Sequence, residues 1–257
     1  MDTEKLYHYT NAPALVSILN HGYLRATQAW HLADGSECRH AIDTLRLLAP
    51  ELSRNNGLWR SLENTLLSMP RYVVCFSKVR NAPHQWEHYG SNGAGACIVY
   101  DPKKARSAFL NSSWDRFKCQ YDPTVQQSML RNLAEDLRNR GETAIADRMC
   151  EFWKWNIQFK SEDYAPENEV RYVLTTLPRV EQVIAPPPPP EAALLMCQCA
   201  LELNSYTHQS GMFDEKYRPF EPFCIKEAIT EIILGSSFTA PKNYCDHLSR
   251  KYTVTQI

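Results

Sequence analysis

The sequence lacks the short signatures that identify most enzymes. It contains no GxGxxG, no GxxxxGK[ST], no HExxH and no GxSxG. Its nine glycines are scattered, so no glycine-rich loop of the phosphate-cradling kind can be drawn. Charge bias is also missing: 28 Lys and Arg against 29 Asp and Glu leave a formal net charge of -1. That removes the broad positive field on which non-specific nucleic-acid or acidic-lipid binding depends, and leaves only a local basic patch as a route to either. There is no CxxC pair, and the cysteine number, nine, is odd. Cys75, Cys97, Cys197 and Cys199 sit in apolar runs, where a reduced thiol packs as a small hydrophobe. A reducing cytoplasm is therefore the expected compartment. No apolar run nears the roughly 20 residues of a membrane helix, and no basic-then-apolar leader opens the chain, so no membrane partner is expected. No internal repeat is visible.

What is present is enough for a packed core: 257 residues, 44% of them hydrophobic. Leu6 to Thr10 reads as a first strand. Asn11 as cap and Pro13 in the first turn start a helix on which Leu15, Ile18 and Leu19 recur, and His21-Gly22 ends it. Tyr23 to Arg25 follows as a short strand. His31 to Leu67 is mostly helical in pattern, with an interruption around Pro50 and Asn55-Asn56-Gly57. Arg71 to Ser77, Ala96 to Tyr100 and Glu169 to Thr175 are β-rich runs suited to buried strands. Pro102 to Phe109 starts a helix, and Val125 to Trp155 is a long amphipathic helix broken near Gly141. Five prolines, Pro186 to Pro190, form a stiff polyproline connector. Leu194 to Leu203 and Ala228 to Leu234 are further strand candidates, and Pro241 to Arg250 is helical. Strands and helices mix without βαβ alternation. The expected class is α+β, with a mixed, mainly antiparallel, split β-sheet and surrounding helices. One domain over 1–257 is expected, with a helical insertion around 125–155 and the connector at 186–190.

Three clusters can carry chemistry. On the first strand, His8 and Thr10 share one face and Tyr7 and Tyr9 the other. A histidine beside a hydroxyl can hydrogen-bond a sugar or amide; the competing reading is a half-buried edge strand with a satisfied histidine. The second cluster runs from Val73 to Tyr89. A buried strand delivers Ser77, and Trp86 and Tyr89 lie three apart on a helical turn, able to wall a pocket for a flat ring or to serve as core anchors. His84 and His88 have the i, i+4 spacing of zinc ligands, but no third ligand is apparent, and no metal is expected. The third is Glu167-Asn168-Glu169-Val170-Arg171, whose Glu167, Glu169 and Arg171 alternate onto one face. Carboxylates and a guanidinium at the mouth of a buried strand are costly to desolvate unless they pair or bind something. One reading is a solvated strand end with an ion pair. The other is a carboxylate that holds a ribose hydroxyl and stabilises positive charge at its anomeric carbon.

The order of these pieces resembles a family. YHYT, LxxILxxGxL (Leu15 to Leu24), DxxE (Asp34 to Glu37), CFS, WxxY, ExExR and IxEIILG (Ile229 to Gly235) are together similar to a large bacterial family, domain of unknown function 2971. The same order resembles the ADP-ribosyltransferase fold, chiefly its poly-ADP-ribose polymerase and diphtheria-toxin branch. That resemblance implies NAD as substrate, with no metal. It implies His8 at the adenosine ribose beside Thr10, Tyr89 stacked on nicotinamide, and Ser77 near the nicotinamide ribose. Glu169 would be the catalytic carboxylate, with Glu167 its partner and Arg171 beside it. Tyr9 stands where that pattern has a small residue, and Phe76 replaces the first stacking tyrosine as a hydrophobic wall. Trp86 joins the aromatic wall. The implied activity is cleavage of the nicotinamide–ribose bond, with transfer of ADP-ribose to an unidentified protein or nucleic-acid acceptor or to water. A toxin or phage-defence effector is the implied setting. The alternatives are a non-catalytic nucleotide-sensing or binding module on the same fold and a metal-assisted hydrolase using His84 and His88.

Overall fold

A computed structural model describes residues 4–32, 39–54, 56–67, 71–111, 114–175, 217–219, 225–240 and 242–257. The polyproline run at 186–190, the strand expected over Leu194 to Leu203 and the DxxE segment lie outside these residues.

Strand β1 (Leu6–Thr10) leads directly into helix α1 (Ala12–His21). Asn11 caps the helix, its Oδ1 accepting from Ala14 N at 2.8 Å, and Pro13 occupies the first turn, where its missing N–H costs nothing. Gly22 ends it at φ 78, a left-handed conformation that glycine adopts without strain, and donates its N–H to Ile18 O. β2 (Arg25–Gln28) begins where the sequence pattern placed the end of a strand, a shift of two residues from Tyr23.

The remaining strands are β3 (Arg71–Ser77), β4 (Ala96–Tyr100), β5 (Asp115–Lys118), β6 (Glu169–Thr175), β7 (Tyr217–Pro219), β8 (Ile229–Leu234) and β9 (Thr253–Gln256). They form one open sheet in the order β5-β6-β3-β1-β4-β8-β9, with β2 lying between β3 and β7. Every pairing is antiparallel except β8 with β9, so the chain is α+β with a mixed, mostly antiparallel sheet.

The sheet forks at β3. One edge of β3 pairs with β6 along its whole length, from Arg71↔Thr175 to Ser77↔Glu169. Its other edge is shared: the start pairs with β2 at Val73 and Tyr72, and only the last residue pairs with β1, at Tyr7↔Ser77. Between the two prongs the backbones separate, and the slot they leave becomes the cleft described below.

Alternation along the strands gives the sheet two buried faces. On one, Leu6, Phe76, Ile98, Tyr100, Tyr172 and Ile232 pack with α1 and with α5 (Pro102–Leu110) and α8 (Lys242–Ser249). Phe109 of α5 stacks on Tyr172 at 4.0 Å between centroids. On the other, Tyr7, Tyr9, Cys97, Val99 and Ile233 meet Ala82 and Trp86, the latter from the short helix α4 (Pro83–His88). A second core is wholly helical. α2 (His40–Leu48) and α3 (Asn56–Leu67), inserted between β2 and β3, join α6 (Pro123–Arg140) and α7 (Glu142–Gln158), inserted between β5 and β6. Ile42, Leu45, Leu58, Leu130, Leu137 and Phe152 fill it. The break between α6 and α7 falls at Gly141, with φ 59. The expected helical insertion is thus half of a larger module, and the end of α7 carries the chain back to the fork. Among the described residues no helix is long and apolar enough to cross a membrane.

Candidate functional site

A cleft opens at the fork, lined from β1 by Tyr7, His8 and Tyr9 and from β3 by Cys75, Phe76 and Ser77. Gln85 and Tyr89 form another wall, and Glu167 and Glu169 a third. Its enclosed space is about 50 Å³. That is well below the roughly 300–1,000 Å³ typical of small-molecule sites, so a ligand held here would keep much of its bulk in the open mouth.

His8 stands at the point where β1 leaves β3. Its Nδ1 lies 3.1 Å from the carbonyl oxygen of Cys75. A carbonyl only accepts, so Nδ1 carries the proton and Nε2 of the neutral ring is left as an acceptor. Burial pushes the imidazole pKa down, outweighing the carbonyl's pull the other way, so the neutral form is favoured. The ring centroid is 5.9 Å from that of Phe76. Phe76 in turn is wedged edge-on against Tyr100, Phe109 and Tyr172 and forms a fixed floor.

Two cleft residues are also structural ties. The Tyr9 hydroxyl donates to Val79 O at 2.9 Å and accepts from Ala82 N at 3.0 Å, pinning the loop that leads to α4. Ser77 Oγ donates to Glu167 O at 2.7 Å and accepts from Val79 N at 3.0 Å, fastening the end of β3 to the approach to β6. Tyr89, just past α4, is 41% exposed and presents its ring to the cleft mouth.

Glu169 opens β6 with its carboxylate deep in the protein. Arg171, fully buried, grips it with both fork nitrogens: Nε to Oε1 and Nη2 to Oε2, each at 3.0 Å. The third nitrogen, Nη1, donates to Ile157 O at 2.9 Å. Lys160 Nζ donates to Glu169 Oε2 at 3.1 Å and also to Glu167 Oε2, which places one ammonium between two carboxylates. The thiols of Cys119 and Cys75 reach Glu169 as well, and its N–H donates to the Tyr121 hydroxyl at 2.8 Å. Burial pushes the Glu169 pKa up, but Arg171 and Lys160 together outweigh it and hold the group at about 2. Glu169 is therefore ionised at neutral pH.

Several expectations need correcting. Glu167 does not alternate with Glu169 along a strand. It ends a 3-10 turn (Glu162–Glu167), and Asn168, at φ 43, turns the chain so that both carboxylates meet Lys160. Trp86 does not wall the cleft. It is buried in the core under β1 and β4, edge-on to Tyr9 at 5.1 Å, with Nε1 bonded to Asn81 Oδ1. Thr10 lies buried at the far end of β1 and is not part of the lining. Arg171 is not part of the lining and holds Glu169 from beneath it. The His84 and His88 rings stand 4.2 Å apart, with Glu167 Oε1 3.6 Å from His84 Nδ1. Among the described residues no group of three or more His, Cys, Asp and Glu is placed to hold a metal.

Lys160, Gln85, Cys75, Cys119 and Tyr121 were not picked out from sequence. The signal for Lys160 was a cation closing the aromatic run from Phe152 to Phe159, a position that buries it. The others carry no pattern of their own: pairing of β3 and β5 with β6 brings in Cys75, Cys119 and Tyr121, and α4 brings in Gln85.

Fold and site together define an α+β protein with a small cleft at a fork in its sheet and a formally balanced ion cluster beneath it. A family model described as protein of unknown function (DUF2971) matches residues 85–172. The matched stretch runs from α4 into β6 and contains Gln85, Tyr89, Lys160, Glu167 and Glu169, while His8 and the β3 residues lie before it. No curated protein and no solved structure matches the chain.

Proposed function

We propose that the cleft binds the nicotinamide–ribose part of NAD and that the protein is an ADP-ribosyltransferase-like enzyme, transferring ADP-ribose to a protein or nucleic-acid acceptor or to water. The observation behind this reading is that His8, Tyr89 and Glu169, from three distant segments, line one cleft. They supply a hydrogen-bonding imidazole, an aromatic face and an ionised carboxylate.

In the reaction, the bond between C1 of the ribose and the pyridinium nitrogen breaks and its electron pair leaves with nicotinamide. Positive charge develops at C1 and the ring oxygen, and a fixed carboxylate close to it lowers the barrier. Glu169 is that group, kept ionised by Arg171 and Lys160. The acceptor oxygen or nitrogen then bonds C1 and releases a proton. Tyr89 offers its ring to the nicotinamide, and Phe76 closes the pocket floor.

A second reading, a nucleotide-sensing module without turnover, draws on one feature. Both Glu169 oxygens are held by cations, so the two carboxylates and two cations of the cluster cancel formally. A neutralised carboxylate stabilises an oxocarbenium-like state less than a free one does.

The test is release of nicotinamide from NAD by the purified protein. Glu169→Gln should cut turnover on the order of 10²-fold, as loss of an electrostatic stabiliser does. Tyr89→Ala, which changes an exposed ring, should raise KM while the protein stays folded. Thermal stabilisation by NAD with no nicotinamide released by the wild type would favour the sensor instead.

A further inference from the structure

Two glutamines are buried near the cluster, and they differ. Gln126 on α6 has both ends of its amide in use: Nε2 donates to Gln120 O and Lys160 O, and Oε1 faces His40 Nε2 at 3.0 Å. Gln85 on α4 is only 7% exposed, yet among the described residues its side-chain amide makes no hydrogen bond. It is not sealed in the core either, because Gln85 forms part of the cleft wall. Tyr89 follows four residues later, so the two side chains share one face of the turn and adjoin in the wall. A buried amide left without partners is costly unless something supplies them. The Gln85 amide opens on the cleft, where water meets it until a ligand takes the water's place.

We infer that Gln85 is the specificity-determining residue of this site, reading a planar ligand edge that carries an N–H donor beside a carbonyl or ring-nitrogen acceptor. A primary carboxamide and a nucleobase both present that edge, and a glutamine amide pairs with it through two parallel hydrogen bonds. The inference deepens the proposed function and rests on it for the position of the ligand: a flat ring against Tyr89 turns its substituted edge to Gln85. A site built to hydrogen-bond an edge discriminates strongly against the same ring without it, because the protein's own polar group then stays unpaired.

The experiment measures fragment binding to the full chain by ligand-observed NMR. Nicotinamide provides the carboxamide, adenine and uracil the nucleobase edge, and 3-methylpyridine the bare ring. Wild type should prefer nicotinamide, or one of the bases, to 3-methylpyridine by about 10-fold or more, as two added hydrogen bonds imply. Which probe wins assigns the edge. Gln85→Leu should bring that preference to within about 2-fold while 3-methylpyridine still binds. Gln85→Met, similar in volume, serves the same purpose should the leucine variant fail to fold. Gln85→Glu, which only accepts, should also lose the preference. An unchanged preference in folded Gln85→Leu or Gln85→Met overturns the assignment even if NAD is cleaved. Wild type that binds none of the edge-bearing probes also overturns it. A preference that depends on Gln85 in a protein that releases no nicotinamide from NAD upholds the assignment and removes the transferase reading.

Discussion

The protein holds two arginine–carboxylate pairs of nearly the same form in opposite surroundings. Arg80 grips Glu231 on the outer part of the sheet with both Nη atoms, at 2.7 and 2.6 Å, with Thr255 adding a hydrogen bond. Arg171 grips Glu169 just as evenly beneath the cleft. The Arg80 side chain is 48% exposed and the Arg171 side chain is not exposed at all. The outer pair is a modest contributor, because water already solvates its arginine and salt screens the attraction. The inner pair must offset the desolvation of two ions, and such pairs are often no more stabilising than well-packed apolar residues. The fold would therefore gain little from an ion cluster at this place, with two more charges added at Lys160 and Glu167. A charge that must remain ionised while facing a cleft is a better reason for it.

Removing one charge from each pair separates the two surroundings, with the larger loss at the inner pair. Arg171→Met leaves Glu169 buried with Lys160 as its remaining cation, and should lower unfolding free energy by about 3–5 kcal/mol in urea titrations. The double variant Arg171→Met/Glu169→Leu leaves Lys160 and Glu167 balanced and should regain most of that stability. The two substitutions together should nonetheless abolish nicotinamide release. A double variant no more stable than the single would mean that the pair holds the fold together and that its position at the cleft has no chemical meaning.

Acid sharpens the contrast next. Glu169 drops from an ordinary 4.5 to about 2 on folding, so its ionised form stabilises the native state above pH 4.5. That contribution is lost as pH falls from 4.5 towards 2. Wild type and Glu169→Gln should accordingly differ most in stability at neutral pH and converge towards pH 2–3. Glu231 is also lowered, chiefly by Arg80, so its contribution fades in the same direction on acidification. Unfolding curves at several pH values would check this, and a gap between wild type and Glu169→Gln that stays constant with pH would refute the paired, ionised state of Glu169.

How much of this was legible beforehand follows the same division between local pattern and tertiary approach. Arg71–Ser77, Ala96–Tyr100 and Glu169–Thr175 announce themselves as apolar β-branched runs, and the strands have those bounds. α1 was readable from Asn11, Pro13 and Gly22 because capping is local chemistry. β5 (DRFK) and β9 (TVTQ) were not, since both are short polar strands at the sheet edges, formed by their neighbours' open ladders. In the site, His8, Tyr89 and Glu169 stood out as chemical groups on recognisable elements. Trp86 misled because three-residue spacing gives two aromatics a common side of one turn without saying which of them the core will take. The cation closing the run from Phe152 to Phe159 hinted at the burial of Lys160, but not at its partners: they come from the turn before β6 and from β6 itself, and only the return of α7 to the fork brings them together.

The smallest effect comes from the outer pair and is the control on which the contrast depends. Glu231→Gln removes the charge that holds Arg80 and keeps a hydrogen-bond acceptor for Thr255. Arg80 then stays solvated rather than stranded, so the loss should be about 1 kcal/mol or less and should shrink further at high salt. Glu231 itself is mostly buried, with 14% of its side chain exposed, which puts the expected loss at the upper end of that range. Urea titrations of wild type and Glu231→Gln at low and high ionic strength would measure it. A loss of several kcal/mol, insensitive to salt, would place the outer pair in the same energetic class as the inner one. The burial of Arg171 and Glu169 would then no longer mark them as anything but structure.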